Sequence, residues 1–245
     1  MMHEPQRRMD GSASVDAGQM HNLWERALDL VFPPRCAGCE GRGTPLCPEC
    51  AAAIDYLAPP LCPTCGRLVG QPGICPRCRA YPPALDGVAA AAQFGGPTRA
   101  CIHALKYEGQ RRYASVLAAM ARPALATLPP ADALVPVPLF RARQRARGFN
   151  QSELIARHLA TDTLPVMAHW LARTRDTPSQ VGGDRDRRHA NVAGAFACPD
   201  AAVRGRRVIL VDDVLTTGAT LDACTVALRA AGAVTVHALV VARAE

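Results

Sequence analysis

The sequence predicts an α/β domain, a parallel sheet flanked by helices, with a small cysteine-rich module on its N-terminal side. Beyond residue 83, short apolar runs alternate with segments of helical periodicity, the order that builds parallel sheets through right-handed crossovers. Val208–Val211 is an unbroken run of β-branched residues and leucine, the composition of a strand buried on both faces. Between Cys36 and Cys78, eight cysteines fall into four C-x-x-C pairs with few large apolar residues among them, so this stretch cannot build a core of its own. A chain of 245 residues, 49% hydrophobic, accommodates one ordinary domain and one smaller unit.

Residues 1–21 are rich in Gly, Ser, Asp and Gln with hardly any large apolar side chains, and a disordered tail is expected. This stretch has no apolar core of the kind a secretory signal needs. Residues 22–34 predict an amphipathic helix: Asn22 can cap it, Glu25 follows three residues on, and Leu23, Ala27, Leu28 and Val31 recur at helical spacing before Phe32-Pro33-Pro34 ends it. Residues 35–80 form the cysteine module and 81–245 the α/β domain. Within that domain, strands are predicted at Val88–Phe94, Ala133–Val137, Val208–Val211 and Val234–Val241. Helices are predicted at Thr98–Tyr107, Ala114–Leu125, Ser152–Ala160 and Leu221–Ala231. Residues 173–192 have no apolar period and predict a long mobile loop. No apolar run approaches the roughly 18 residues of a spanning helix, so a soluble cytoplasmic protein without membrane insertion is expected.

The cysteine pairs are Cys36/Cys39, Cys47/Cys50, Cys62/Cys65 and Cys75/Cys78. A C-x-x-C turn aims two thiolates at one point, and two such turns complete a tetrahedral four-sulfur zinc site. Four pairs within 43 residues favour two structural zinc ions over disulfides or redox dithiols. Sequential pairing gives a double zinc ribbon with loops of seven and nine residues between paired turns, and a cross-braced arrangement is the alternative. Gly66, after the second cysteine of Cys62-Pro63-Thr64-Cys65, permits a left-handed turn. Cys101, Cys198 and Cys224 are expected as buried small hydrophobes. The net charge of +7 is compatible with anionic ligands such as phosphates or nucleic acid.

The segment Val208 to Thr220 carries the chemistry. A buried strand ends in Asp212 and Asp213, and Val214, Leu215, Thr216, Thr217, Gly218, Ala219 and Thr220 form a hydroxyl-rich turn that opens the next helix. Amides and hydroxyls at a helix N-terminus suit a phosphate, and carboxylates at the carboxyl end of a parallel strand suit vicinal hydroxyls.

These thirteen residues resemble the signature of type I phosphoribosyltransferases for 5-phosphoribosyl 1-pyrophosphate (PRPP). Val135-Pro136-Val137-Pro138, Arg141, Arg143, Arg145, Arg147 and Gly148-Phe149-Asn150-Gln151 resemble the pyrophosphate-loop region of the ComF/GntX family. His103 to Gly109 resembles its L-K-Y-x-G segment, and Arg173 to Arg175, Gln180, Arg188, Asn191-Val192 and Ala195-Phe196 resemble its flexible loop. Gly182-Gly183 stands where that family carries a leucine, and Arg187 where an acidic residue is common.

The resemblance implies a type I phosphoribosyltransferase fold behind a double zinc ribbon. It gives Asp212 and Asp213 to the ribose hydroxyls as the catalytic pair, residues 216–220 to the 5-phosphate with Val214 and Leu215 in the same PRPP-binding segment, and Lys106, Arg145 and Arg147 to the pyrophosphate, with Mg2+ accompanying PRPP. It implies phosphoribosyl transfer with pyrophosphate release to an unspecified acceptor, and a role in DNA uptake or nucleotide metabolism. The chain ends directly after its last strand, leaving the zinc module and residues 81–110 as candidates for the acceptor-side hood. A different class of function, a non-catalytic PRPP sensor or single-stranded nucleic-acid module, rests on the arginines at 141–147 and 185–188.

Overall fold

A computed structural model of the chain describes residues 33–176 and 192–244. The predicted tail and the predicted helix up to Phe32 lie outside them, as does most of the predicted 173–192 loop, including Gln180, Gly182-Gly183, Arg185, Arg187, Arg188 and Asn191.

Two short helices, α1 (Pro48–Ala52) and α2 (Pro76–Ala80), belong to the cysteine module. Then follow β1 (Gly87–Gln93), α3 (Gly96–Tyr107), α4 (Tyr113–Leu125), β2 (Ala133–Pro136), α5 (Arg141–Arg147) and α6 (Gln151–Leu159). After them come β3 (Ala172–Arg173), β4 (Phe196–Ala197), β5 (Arg207–Leu215), α7 (Ala219–Ala230) and β6 (Thr235–Arg243). The main sheet has the order β1-β6-β5-β2 and is parallel throughout.

The two central strands are the ones with continuous apolar runs, as burial on both faces requires. Alternation along them divides the core. Ile209, Val211, Leu239 and Val241 face α4 and α6, meeting Leu117, Ile155 and Leu159. Val208, Leu210, Val236, Ala238 and Val240 face α7, meeting Leu221 and Leu228. The outer edge of β1 is covered by the segment that leaves the cysteine module: Leu57 N–H donates to Ala91 O (2.9 Å), Gln93 N–H to Asp55 O (2.8 Å) and Val88 N–H to Pro63 O (3.0 Å). An exposed edge that would invite pairing with another chain is thereby closed.

Three sequence expectations need correction. β5 does not stop at Val211: it continues through both aspartates to Leu215, because β6 is nine residues long and offers Val240, Ala242 and Arg243 as partners for Asp212, Val214 and Leu215. The alternating arginines, which the resemblance puts in a pyrophosphate-loop region, form the helix α5, ended by Gly148 at φ 80°. An all-polar, Ala-punctuated segment gives no apolar period, which hid the helix. Finally, residues 172–173 and 196–197 pair antiparallel, with the Arg173 guanidinium 5.4 Å from the centre of the Phe196 ring, so the start of the expected loop is an ordered strand.

Candidate metal centres and ligand site

The eight paired cysteines assemble into two clusters, Cys36, Cys39, Cys47 and Cys50 in one and Cys62, Cys65, Cys75 and Cys78 in the other, with all sulfurs of a cluster within 4.8 Å of one another. This is the sequential pairing, not the cross-braced one. Cys39 and Cys47 sulfurs lie 3.7 Å apart, and Cys65 and Cys75 sulfurs 3.9 Å apart. Four sulfurs at about 2.3 Å from a central zinc would be separated by about 3.8 Å, whereas a disulfide needs about 2 Å. The donor set fits zinc and leaves no open position, as a structural site requires.

The two ribbons are built alike. In each, the first cysteine N–H donates to the residue five further on (Cys36 to Gly41 O and Cys62 to Arg67 O, both 2.7 Å) and a short helix begins after the third cysteine. Gly66 adopts φ 65°, as its position after C-x-x-C predicts, while Glu40 takes the same left-handed conformation in the first ribbon at φ 61°. A side chain at Gly38 would place its Cβ 2.6 Å from the Cys50 sulfur, so the first knuckle requires glycine there. Burial pushes the Cys36 and Cys62 thiols up, but backbone N–H donors, led by those of Cys47 and Cys75, outweigh it and bring both to about 6. Cys101 and Cys224 are fully buried as expected, and Cys198 is only partly so.

The second constellation lies at the carboxyl ends of the strands. Asp212, half-buried, accepts from Ser152 Oγ (2.9 Å) and from the Asp213 N–H (2.9 Å). Asp213, 3% exposed, accepts from Gln151 Nε2 (3.4 Å) and is ion-paired with Lys106, which α3 delivers from its last turn. Asp213 is therefore a buried member of an ion pair, although a carboxylate at a strand end is expected to face solvent. Burial depresses the Lys106 ammonium, but the carboxylates of Asp213 and Asp212 outweigh it and hold the pKa above the ordinary lysine value.

Asp212 moves the other way: burial and then the neighbouring Asp213 charge raise it to about 7, against the opposing pull of Lys106, the Asp213 amide and Ser152. The folded protein thus retains a proton that the unfolded chain has lost between about pH 4 and 7, and this contribution to stability falls as pH rises through that window. Asp212→Asn is expected to raise the melting temperature at pH 8 by several degrees. Linkage bounds the gain at about 4 kcal/mol, and partial solvent access brings it to roughly 2 kcal/mol. Thermal melts at pH 4.5 and 8 check this, with the variant's advantage shrinking toward the acidic end.

Arg147 donates to Gln151 Oε1 (2.5 Å) and lies 5.9 Å from the centre of the exposed Tyr107 ring, so it joins this cluster. Arg145 does not. Two positions along a helix are about 200° apart, and Arg145 is exposed on a different side of α5. At the end of β5, Val214 is half-buried and Leu215 buried, and Thr216, just beyond the strand, is exposed. Thr217 Oγ1 accepts from Ala219 N–H (3.4 Å), Gly218 has φ 90°, and α7 begins at Ala219 with Thr220 in its first turn.

The sequence reading missed Gln151 and Ser152 as the groups that hold the aspartates, although Asn150-Gln151 was singled out as a motif. Asn150 caps α6 through Ser152 N–H (3.0 Å) while its amide donates to Val137 O (3.0 Å), so one turn seats all three residues beneath the acid pair.

A parallel sheet with paired carboxylates before a threonine-rich helix start, behind two zinc ribbons, defines a phosphoribosyltransferase-domain protein. Residues 27–79 match the double zinc ribbon domain and residues 146–245 the phosphoribosyl transferase domain. Competence protein F of Haemophilus influenzae is 30% identical over 220 residues, covering 85% of this chain and 90% of that protein. The DNA utilization protein YhgH of Salmonella typhi is 33% identical over 219 residues, covering 82% and 86%. The chain belongs to the ComF family. Glutamine PRPP amidotransferase of Bacillus subtilis, in complex with ADP and GMP, aligns at 21% identity with a TM-score of 0.33 over 54% of this chain, which spans 25% of that one. Among the described residues no helix is long and apolar enough to cross a membrane.

Proposed function

We propose that the chain binds PRPP with Mg2+ at the carboxyl end of β5. The observation that carries this reading is the pair Asp212–Asp213, braced by Ser152, Gln151 and Lys106 at the end of β5, just before the turn that opens α7. The carboxylates are acceptors for the ribose diol, and the turn supplies amide and hydroxyl donors for the 5-phosphate. Lys106 and Arg147 are the cations for the pyrophosphate. Arg145 serves there only if α5 turns, so we give it a secondary place.

In the free protein Lys106 neutralises Asp213. When Asp213 accepts from a ribose hydroxyl, the ammonium is placed to attract pyrophosphate oxygens, so one side chain serves the site in both states. Mg2+, when bound, supplies positive charge shared between the ligand's oxygens and keeps part of its water shell. As pyrophosphate leaves, the carboxylates of half-buried Asp212 and buried Asp213 are set to stabilise the cationic ribose. Helix α3, carrying Lys106 and the exposed Tyr107, and the cysteine module beside it form the acceptor side of the site. Through its relatives in competence and DNA utilization, we carry over to this chain a role in DNA uptake or use.

A non-catalytic sensor has the same binding site, and acceptor chemistry separates the two. The nucleic-acid reading loses ground in α5, where Arg143 lies 3.8 Å from Asp176 and Arg147 is engaged with Gln151, leaving Arg141 and Arg145 as its exposed arginines. Calorimetric titration with PRPP is expected to show one site per chain that requires Mg2+, followed by pyrophosphate release only when a suitable nucleobase or amine is present. Absence of binding at millimolar PRPP with Mg2+ would reject the proposal. Binding without release across an acceptor panel would assign the sensor.

A further inference from the structure

The second ribbon is docked against β1, β6 and the start of α7 at several points. Arg243, the buried last residue of β6, donates from Nη1 to Cys65 O (2.7 Å), and the Val88 N–H in β1 donates to Pro63 O (3.0 Å). Ala84 N–H, just beyond the ribbon, donates to Asp222 Oδ1 in the first turn of α7 (3.0 Å). One contact reaches the loop itself: Arg77 Nη2 donates to Thr217 O at 3.0 Å.

Arg77 lies on α2 between Cys75 and Cys78, two residues of the second cluster, so a zinc ion bound there would fix its place. Thr217 O belongs to the peptide that joins Thr217 to Gly218, and Gly218 has φ 90° and ψ −8°. These are the angles of the second central residue of a type II turn, near φ +80° and ψ 0°. Rotating the preceding peptide by about half a turn would carry the φ of Gly218 to the negative side, and glycine permits both signs. A peptide unit is planar and trans, so its carbonyl and N–H point in opposite directions. With the carbonyl held toward the ribbon, the Gly218 N–H is turned away from it. The flipped form would put a carbonyl oxygen where a donor had been.

We propose that Arg77 is a positioning residue that latches the Thr217–Gly218 peptide in its donor-out orientation, making the phosphate loop depend on the second zinc ribbon. The consequence for ligand affinity rests on the PRPP reading above, whereas the consequence for the loop does not. The first ribbon has no such link in the described structure: it leans on α3 and α4, where Tyr113 Oη donates to Arg35 O (2.7 Å).

Hydrogen–deuterium exchange of the full chain, loaded with zinc and free of ligand, tests the latch directly. In Arg77→Ala, the amides of residues 216–220 are expected to exchange about tenfold faster, with zinc content and melting temperature unchanged. Arg77→Lys, which keeps a donor, should restore part of the protection. Cys75→Ser, which removes a ligand of the second cluster, should reproduce the loop exchange of Arg77→Ala, and Cys39→Ser in the first should leave it at the parent level. Affinity for Mg-PRPP should weaken roughly three- to tenfold in Arg77→Ala, less than the full worth of one charge-assisted hydrogen bond because Arg77 acts through the loop and not on the ligand. Unchanged exchange at 216–220 overturns the latch, as does faster exchange with unaltered affinity in a parent that binds PRPP. Should the parent bind no PRPP, the ligand reading fails while the exchange comparison still decides the latch.

Discussion

Replacing Asp212 and Asp213 together by alanine should weaken Mg-PRPP binding by two to four orders of magnitude. Two hydrogen bonds from a diol to charged acceptors are worth about 3–5 kcal/mol in all. The fold is also expected to respond, because Asp213 is buried and its loss leaves the Lys106 ammonium without its carboxylate. Removing one partner of a buried ion pair costs a few kcal/mol. Stability and binding therefore need separating. In Asp213→Ala with Lys106→Met, the buried ion pair is removed as a unit, so the melting temperature should recover while PRPP binding stays lost. Asp212→Asn and Asp213→Asn keep the side-chain size and lose the anionic acceptor, and intermediate affinities are expected from them. Titration calorimetry beside thermal melts provides both readings. A double alanine variant that is folded and binds Mg-PRPP like the parent would remove the phosphoribosyltransferase reading of this site.

Most of the sheet and both metal centres were legible because their signals are local. Val208 to Val211 needs no partner to look like a buried strand, and a C-x-x-C pair carries its geometry in four residues. The far end of β5 was not legible: two aspartates break the apolar run, and only the length of β6 shows that pairing continues. The helix at 141–147 was hidden for the opposite reason, since it buries no residue and its sequence has no apolar face to read. In the site, the aspartates, Lys106 and Arg147 came from motifs. Their supports did not. Ser152 and Gln151 touch the acids across about 60 residues of chain, and Arg77 reaches Thr217 across 140. Such contacts depend on how units dock, which periodicity and spacing do not encode.

The protein purified under reducing conditions should carry two zinc ions, and they should leave at different rates. In the first cluster Cys39 is exposed and Cys47 and Cys50 are half-buried, whereas in the second Cys62, Cys75 and Cys78 are buried. A competing chelator must reach the sulfurs or wait for the ribbon to open, and opening the second ribbon also breaks the Arg243, Val88 and Arg77 contacts. Release to a chromogenic chelator should therefore be biphasic, with one equivalent fast and one slow. Cys39→Ser should abolish the fast phase alone, leaving one zinc, and most of the α/β sheet should keep its protection from exchange because its core has its own apolar strands. Cys62→Ser should abolish the slow phase and also loosen β1, whose edge is closed by the segment around Pro63. Structural zinc in a four-sulfur site is worth on the order of 10 kcal/mol, far more than so small a module gains from its apolar contacts. Stripping both ions should accordingly unfold residues 36–78 outright. A purified protein with one zinc, with none, or with disulfides within the pairs would contradict the double-ribbon assignment, and release in a single phase would contradict the difference in burial.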